Sequence, residues 1–257
     1  MIKKILNFIK KDLQINEIKK LFKKNKEQNY NKLLNTTQKL IDTTKSEIKE
    51  IDELSFELKK ELLKNALQKY EKLNYSKNHE YYFLLADDNS NSIKLMLNDL
   101  NYIFKKPSLI TNEIHNEKII QKRDKLYEKI KNLDFETIIA QGDTAPYSII
   151  KSLDNIKIDY AILDIIFGGV LVYKNRTYIF DGIDIAECIL KNNPNAVILF
   201  YTGCNLSENS EEYNKIQKLS QTFNNQIFIT DKDINDETRI KKIIESLEYF
   251  VKLNNIT

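Results

Sequence analysis

Residues Tyr160–Leu163 form an unbroken apolar run that stops at Asp164, shortly before the pair Gly168-Gly169. A strand with one wet face alternates apolar and polar residues, whereas a strand covered on both faces is apolar throughout. The run is therefore expected inside a sheet that helices cover on both sides. Open α/β sheets gather ligands at the carboxyl ends of such strands, where Asp164 falls. On this stretch alone the acid reads equally well as a cap on the following loop. The ends of the neighbouring strands decide between the two.

Those neighbours repeat the pattern. At Lys77–Glu80 a helical periodicity gives way to Tyr81–Ala86, a β-type run followed at once by Asp87-Asp88-Asn89-Ser90. Ile93, Leu95, Met96, Leu97, Leu100 and Ile103 then recur at helical spacing, giving strand, acidic loop and helix in succession. Further strands are expected at Phe135–Ala140, Ile158–Leu163, Ala196–Tyr201 and Gln226–Thr230. Helices are expected near Pro146–Leu153, Ile183–Leu190, Tyr213–Phe223 and Arg239–Leu253. The polar stretch Lys105–Leu133 reads as an inserted helix, and residues 170–180 as a β-hairpin turning at Lys174-Asn175-Arg176. Five strands alternating with helices define a parallel, doubly wound α/β domain over residues 80–257.

The region before it, residues 1–79, is of another kind. Up to about residue 78 it has neither proline nor glycine, and apolar residues recur as on about three helices, as in Leu54, Leu58, Leu62 and Leu63. A helical bundle or a dimerising coil is expected, which makes a homodimer one expected partner. Lysines outnumber acids in the first thirty residues, the pattern of a solvated helix face or of a basic helix on a membrane surface or on nucleic acid. The whole chain of 257 residues carries a net charge of only +3, so no global field favours nucleic acid. Lysines interrupt every apolar cluster near the start, and no stretch approaches the roughly 20 apolar residues of a membrane span. Cys188 and Cys204 lack metal-type spacing, and His79 and His115 read as surface histidines. A cytoplasmic protein is expected.

Acids, a hydroxyl and a lysine stand at the expected strand ends in the order Asp87-Asp88, Asp164, Thr202 and Lys232. By itself Asp87-Asp88-Asn89-Ser90 reads equally as a helix N-cap. Adjacent carboxylates nevertheless repel, and Mg²⁺, a hard ion preferring carboxylate and water oxygens, is the natural ion to relieve them. The set, with the strings LLADDNS, YAILDI, DGIDIAECI and ILFYTG, resembles the receiver domain of two-component response regulators, from Tyr81 onward. The resemblance implies a flavodoxin-like strand order, 2-1-3-4-5. It implies Asp164 as phosphoacceptor, and Mg²⁺ held by Asp87, Asp88, Asp164 and the backbone carbonyl of Ile166. Lys232 would neutralise phosphoryl charge, and Thr202 would bond the phosphoryl oxygens and switch.

The implied partners are a sensor histidine kinase or phosphotransfer protein, with a downstream protein contacted through the N-terminal helices in a phosphorylation-dependent way. Catalysis would extend only to Mg²⁺-dependent self-phosphorylation and slow autodephosphorylation. Gly168 and Asp233 stand where the family usually has proline, and Phe228 is one place farther from Lys232 than the family's aromatic residue. Both insertions are foreign to ordinary receivers, and the hairpin is expected to shield the site or form a partner surface. Ile166 and Cys204, two residues beyond Asp164 and Thr202, are poor at positioning water, so a long-lived phosphorylated form is expected. A pseudo-receiver scaffold that signals without phosphorylation is the alternative. An Mg²⁺-dependent phosphohydrolase would want a second acid where Ile166 stands.

Overall fold

The computed structural model describes residues 67–68, 70–107, 114–167, 171–173, 176–178, 180–203, 206, 210–223 and 226–256. The helices expected before residue 67 therefore lie outside the described residues, as do Gly168, Gly169 and Cys204. Residues 60–257 make one compact unit. Its strands are β1 (Tyr81–Asp87), β2 (Phe135–Gln141), β3 (Tyr160–Leu163), β4 (Leu171–Tyr173), β5 (Arg176–Tyr178), β6 (Val197–Thr202) and β7 (Ile227–Asp231). Its helices are α1 (Ser90–Phe104), α2 (Glu117–Ile130), α3 (Ala145–Ser152), α4 (Gly182–Asn192), α5 (Glu211–Thr222) and α6 (Asp236–Leu253).

Five strands form one sheet in the order β2-β1-β3-β6-β7, every neighbouring pair parallel. This is the expected doubly wound order, with β6 and β7 as its fourth and fifth strands. β1, β3 and β6 are central, and their shared register, Ala86↔Leu163↔Phe200, brings their carboxyl ends to one edge. Alternation sorts the side chains. Phe83, Leu85, Tyr160, Ile162, Val197, Leu199 and Tyr201 join α1, α2 and α6 in one core. α3, α4 and α5 pack together against strands of the same sheet. A sheet covered on both faces is why its central strands, β1, β3 and β6, carry no polar side chain before Asp87 and Thr202 at their ends other than tyrosine.

The inserted helix α2 packs on α1 and α6, burying Ile119, Leu126 and Ile130 along one stripe. The same stripe holds Arg123, fully buried. Its guanidinium donates to the Tyr102 carbonyl from Nε (3.1 Å) and Nη2 (2.9 Å), to the Lys105 carbonyl from Nη2, and to Asp124 from Nη1 (2.7 Å). It thereby satisfies carbonyls that the last turn of α1 leaves without intrahelical donors. The hairpin β4–β5 pairs antiparallel and lies outside the main sheet. Arg176, expected in its turn, is the first residue of β5 and pairs with Tyr173.

Between Tyr70 and Glu80 the chain has no regular secondary structure and runs along α3 and β2. The Leu73 amide donates to Ser152 Oγ (2.8 Å) and the Ser76 amide to Glu136 (2.8 Å). Lys151 donates to the carbonyls of Gln68 and Tyr70. The Tyr70 ring stacks on Tyr147 with centroids 4.7 Å apart, and Tyr147 meets Phe180 edge-on at 5.9 Å.

Candidate functional site

The carboxyl edge of the sheet collects the expected residues. Asp87 is the last residue of β1, Asp164 follows β3, Thr202 ends β6 and Lys232 follows β7. Asn89 caps α1 by accepting the Asn91 amide (2.8 Å), which turns the chain sharply after the two acids. The turn after β2 closes on the same edge. Gly142, at φ +88°, donates its amide to the Asp87 carbonyl (3.2 Å) in a backbone conformation that suits glycine.

Oxygens of Asp87, Asp88 and Asp164 lie within 4.8 Å of one another. Lys232 joins them, its Nζ 2.7 Å from Asp87 Oδ2 and 3.1 Å from Asp164 Oδ2. The lysine is itself held at the edge, because its amide donates to the Thr202 carbonyl (3.0 Å). Thr202 itself is buried. Burial raises the pKa of Asp164, and the Asp87 charge adds to that; Lys232 and the Ile165 amide pull it back. Burial opposes the charge of Lys232, but hydrogen bonding and attraction from Asp87 and Asp164 outweigh it and raise its pKa.

The loop after Asp164 is fixed by a close backbone approach. Its Ile165 amide donates to Asp164 Oδ1 (2.8 Å), and its Ile165 carbonyl accepts from the Gly182 amide (2.8 Å). A β-carbon on Gly182 would stand 1.8 Å from the Asp164 carbonyl oxygen, so only glycine lets α4 begin there. Asp181 caps that helix, accepting the amides of Ile183 (2.9 Å) and Asp184 (2.8 Å) in a capping box. The hairpin is thus inserted between Asp164 and the helix start that packs on it. Gly182 went unnoticed as a site residue, although the Asp-Gly pair before an apolar helix was its signal.

The donor set suits a hard divalent cation. Three carboxylates converge there, two of them in ion pairs with Lys232, and Asp87 Oδ2 is fully buried 2.7 Å from the lysine nitrogen. Ile166, whose carbonyl was expected to join them, lies in the loop after Asp164 and is 53% exposed. Asp233 is exposed, and its carboxylate lies beside Gly203. Phe228 pairs in register with Leu199, three positions below Thr202, and its ring meets Tyr249 of α6 at 5.7 Å.

No family model and no curated protein matches the chain. Among solved structures it is similar to receiver domains of response regulators. A receiver protein from Sinorhizobium medicae is 15% identical, with 68% of this chain and 99% of that one covered and a TM-score of 0.36. The N-terminal domain of a response regulator/sensory box/GGDEF 3-domain protein from Carboxydothermus hydrogenoformans is 14% identical, with 68% and 99% covered and a TM-score of 0.40. A receiver domain protein from Methanospirillum hungatei is 16% identical, with 67% and 97% covered and a TM-score of 0.35. Among the described residues no helix is long and apolar enough to cross a membrane.

Proposed function

We propose that the chain is a phosphorylation-controlled signalling protein in which Asp164 is the phosphoacceptor. One observation carries the reading: three strand-end carboxylates within 4.8 Å of one another, with Lys232 bridging two of them. Phosphoryl transfer asks little covalent chemistry of a protein and much positioning and charge neutralisation. A carboxylate oxygen of Asp164 attacks the phosphorus of a phosphohistidine or acyl phosphate donor, the donor's P–N or P–O bond breaks, and the leaving group departs with the electron pair. Asp87, Asp88, Asp164 and the Ile166 carbonyl would hold Mg²⁺, which supplies positive charge to the phosphoryl oxygens. Lys232 leaves its ion pair with Asp164 to bond the new phosphoryl group, and Thr202 beside it donates a second hydrogen bond.

The partners that fit are a histidine kinase or phosphotransfer protein on the donor side and a protein contacted by the N-terminal region on the output side. Incubating the full chain with Mg²⁺ and acetyl phosphate tests the reading. Wild type gains one phosphoryl group, and Asp164→Asn or a chelator abolishes the gain. An unlabelled wild type whose partner binding is indifferent to Asp164→Asn would instead establish a scaffold with no phosphoryl chemistry.

A further inference from the structure

Three of the segments that build the site meet again, behind it, on one buried carboxylate. Asp99, on the buried face of α1, accepts from the Tyr201 hydroxyl at 2.8 Å. Arg239 of α6 clasps the same carboxylate with Nε (2.6 Å to Oδ2) and Nη2 (3.1 Å to Oδ1). The guanidinium goes on to Asp236 Oδ1 from Nη2 (2.7 Å) and to the Ile234 carbonyl from Nη1 (3.2 Å). Asp99 is 5% exposed, Arg239 4% and Tyr201 0%. Burial first, and the Asp99 charge next, keep the tyrosine protonated and a donor.

Each partner belongs to a site-bearing segment. Tyr201 immediately precedes Thr202 in β6, Ile234 lies two residues beyond Lys232, and α1 opens directly after Asp87-Asp88-Asn89. A guanidinium bound to a carboxylate through two nitrogens fixes angle as well as distance, which makes it a rigid fastener between segments. Stability does not account for it. A buried ion pair pays heavy desolvation, and well-packed apolar residues in its place are often neutral or better. What apolar residues do not supply is a defined register among three segments that must present groups to one phosphorus.

We infer that Tyr201, Asp99 and Arg239 form a positioning network that holds Thr202 and Lys232 in place for phosphoryl transfer to Asp164. The inference rests on Asp164 being the phosphoacceptor. All three are positioning residues acting through their neighbours. Tyr201→Phe removes one hydroxyl and leaves the ion pair intact. A second variant, Tyr201→Phe with Asp99→Leu and Arg239→Met, replaces the whole network by apolar groups and guards against a merely misfolded protein.

The full chain is labelled with acetyl phosphate and Mg²⁺, and the transfer rate at saturating donor is separated from the donor concentration giving half that rate. Misplacement of about 1 Å can slow a reaction up to a hundredfold. The expected result is a fall of about tenfold in the saturating rate for Tyr201→Phe, and a larger fall for the apolar triple, with the half-saturating concentration of Tyr201→Phe unchanged and its thermal midpoint lowered only as far as the loss of one buried hydrogen bond requires. Wild-type rates in both variants, alongside a labelled wild type, would overturn the network alone. An unlabelled wild type would overturn the phosphoacceptor reading and the network with it.

Discussion

Gly182 decides how tightly the loop after Asp164 is held. Its α-carbon faces the Asp164 carbonyl so closely that any side chain must push the two backbones apart. Gly182→Ala is expected to cost about 1–3 kcal/mol, as overpacking does, and to weaken Mg²⁺ binding because the loop moves with it. A urea midpoint shift and an Mg²⁺ titration check both effects. At the opposite edge Asp159 accepts the Tyr82 amide (2.9 Å) and the Asn193 side-chain amide (2.8 Å). Burial nonetheless dominates and raises its pKa, against the lowering effect of these bonds and of Lys157. A raised carboxyl pKa means the folded state holds the proton more firmly than the unfolded chain. Its contribution to stability is therefore complete below the ordinary aspartate range and lost as pH rises through the raised value. Unfolding of wild type and Asp159→Asn across that window should show wild type losing ground as pH rises; a constant difference would contradict this. Asp164, Thr202 and Lys232 were legible because each ends a run of strand-forming residues. Asp99 and Arg239 were not, since charged residues in helices usually face water. The cue was there: Asp99 stands among Met96, Leu100 and Ile103 on the apolar stripe of α1.

At the scale of elements, the two insertions behave differently. Helix α2 is built into the core, and its fully buried Arg123 ends α1 by binding the Tyr102 and Lys105 carbonyls. Arg123→Met keeps the bulk and removes the donors. A buried acceptor left alone costs roughly 1–3 kcal/mol and the Tyr102 carbonyl is part-buried, so a loss of about 1 kcal/mol or more is expected, read as a lower denaturation midpoint with an unchanged slope. The hairpin instead forms its own two-stranded sheet, and it enters where the chain leaves Asp164 and returns at Phe180. The two apolar arms in Val170–Phe180 mark a hairpin, whereas Arg176, as polar as the two residues before it, belongs to β5 rather than to the turn. The segment before β1 was harder still. Tyr70, Leu73 and Ser76 bind α3 and β2 through backbone amides and one stacked ring, contacts that leave no periodicity in a sequence.

For the whole molecule, the covering of the sheet on both faces was readable because its central strands are apolar runs without polar faces, whereas the strand order followed only from the resemblance carried by the strand-end motifs. That sheet, β2-β1-β3-β6-β7, sets the strand ends that carry Asp87, Asp164, Thr202 and Lys232 along one edge. In the proposed function this edge carries an acyl phosphate on one residue, Asp164. Borohydride reduces an acyl phosphate to an alcohol, so the full chain can be labelled with acetyl phosphate and Mg²⁺, reduced, digested and its peptides weighed. Homoserine is expected at position 164, absent when Mg²⁺ is chelated. Reduction at Asp87 or Asp88 instead, or at no aspartate in a folded, Mg²⁺-supplied protein, would contradict it.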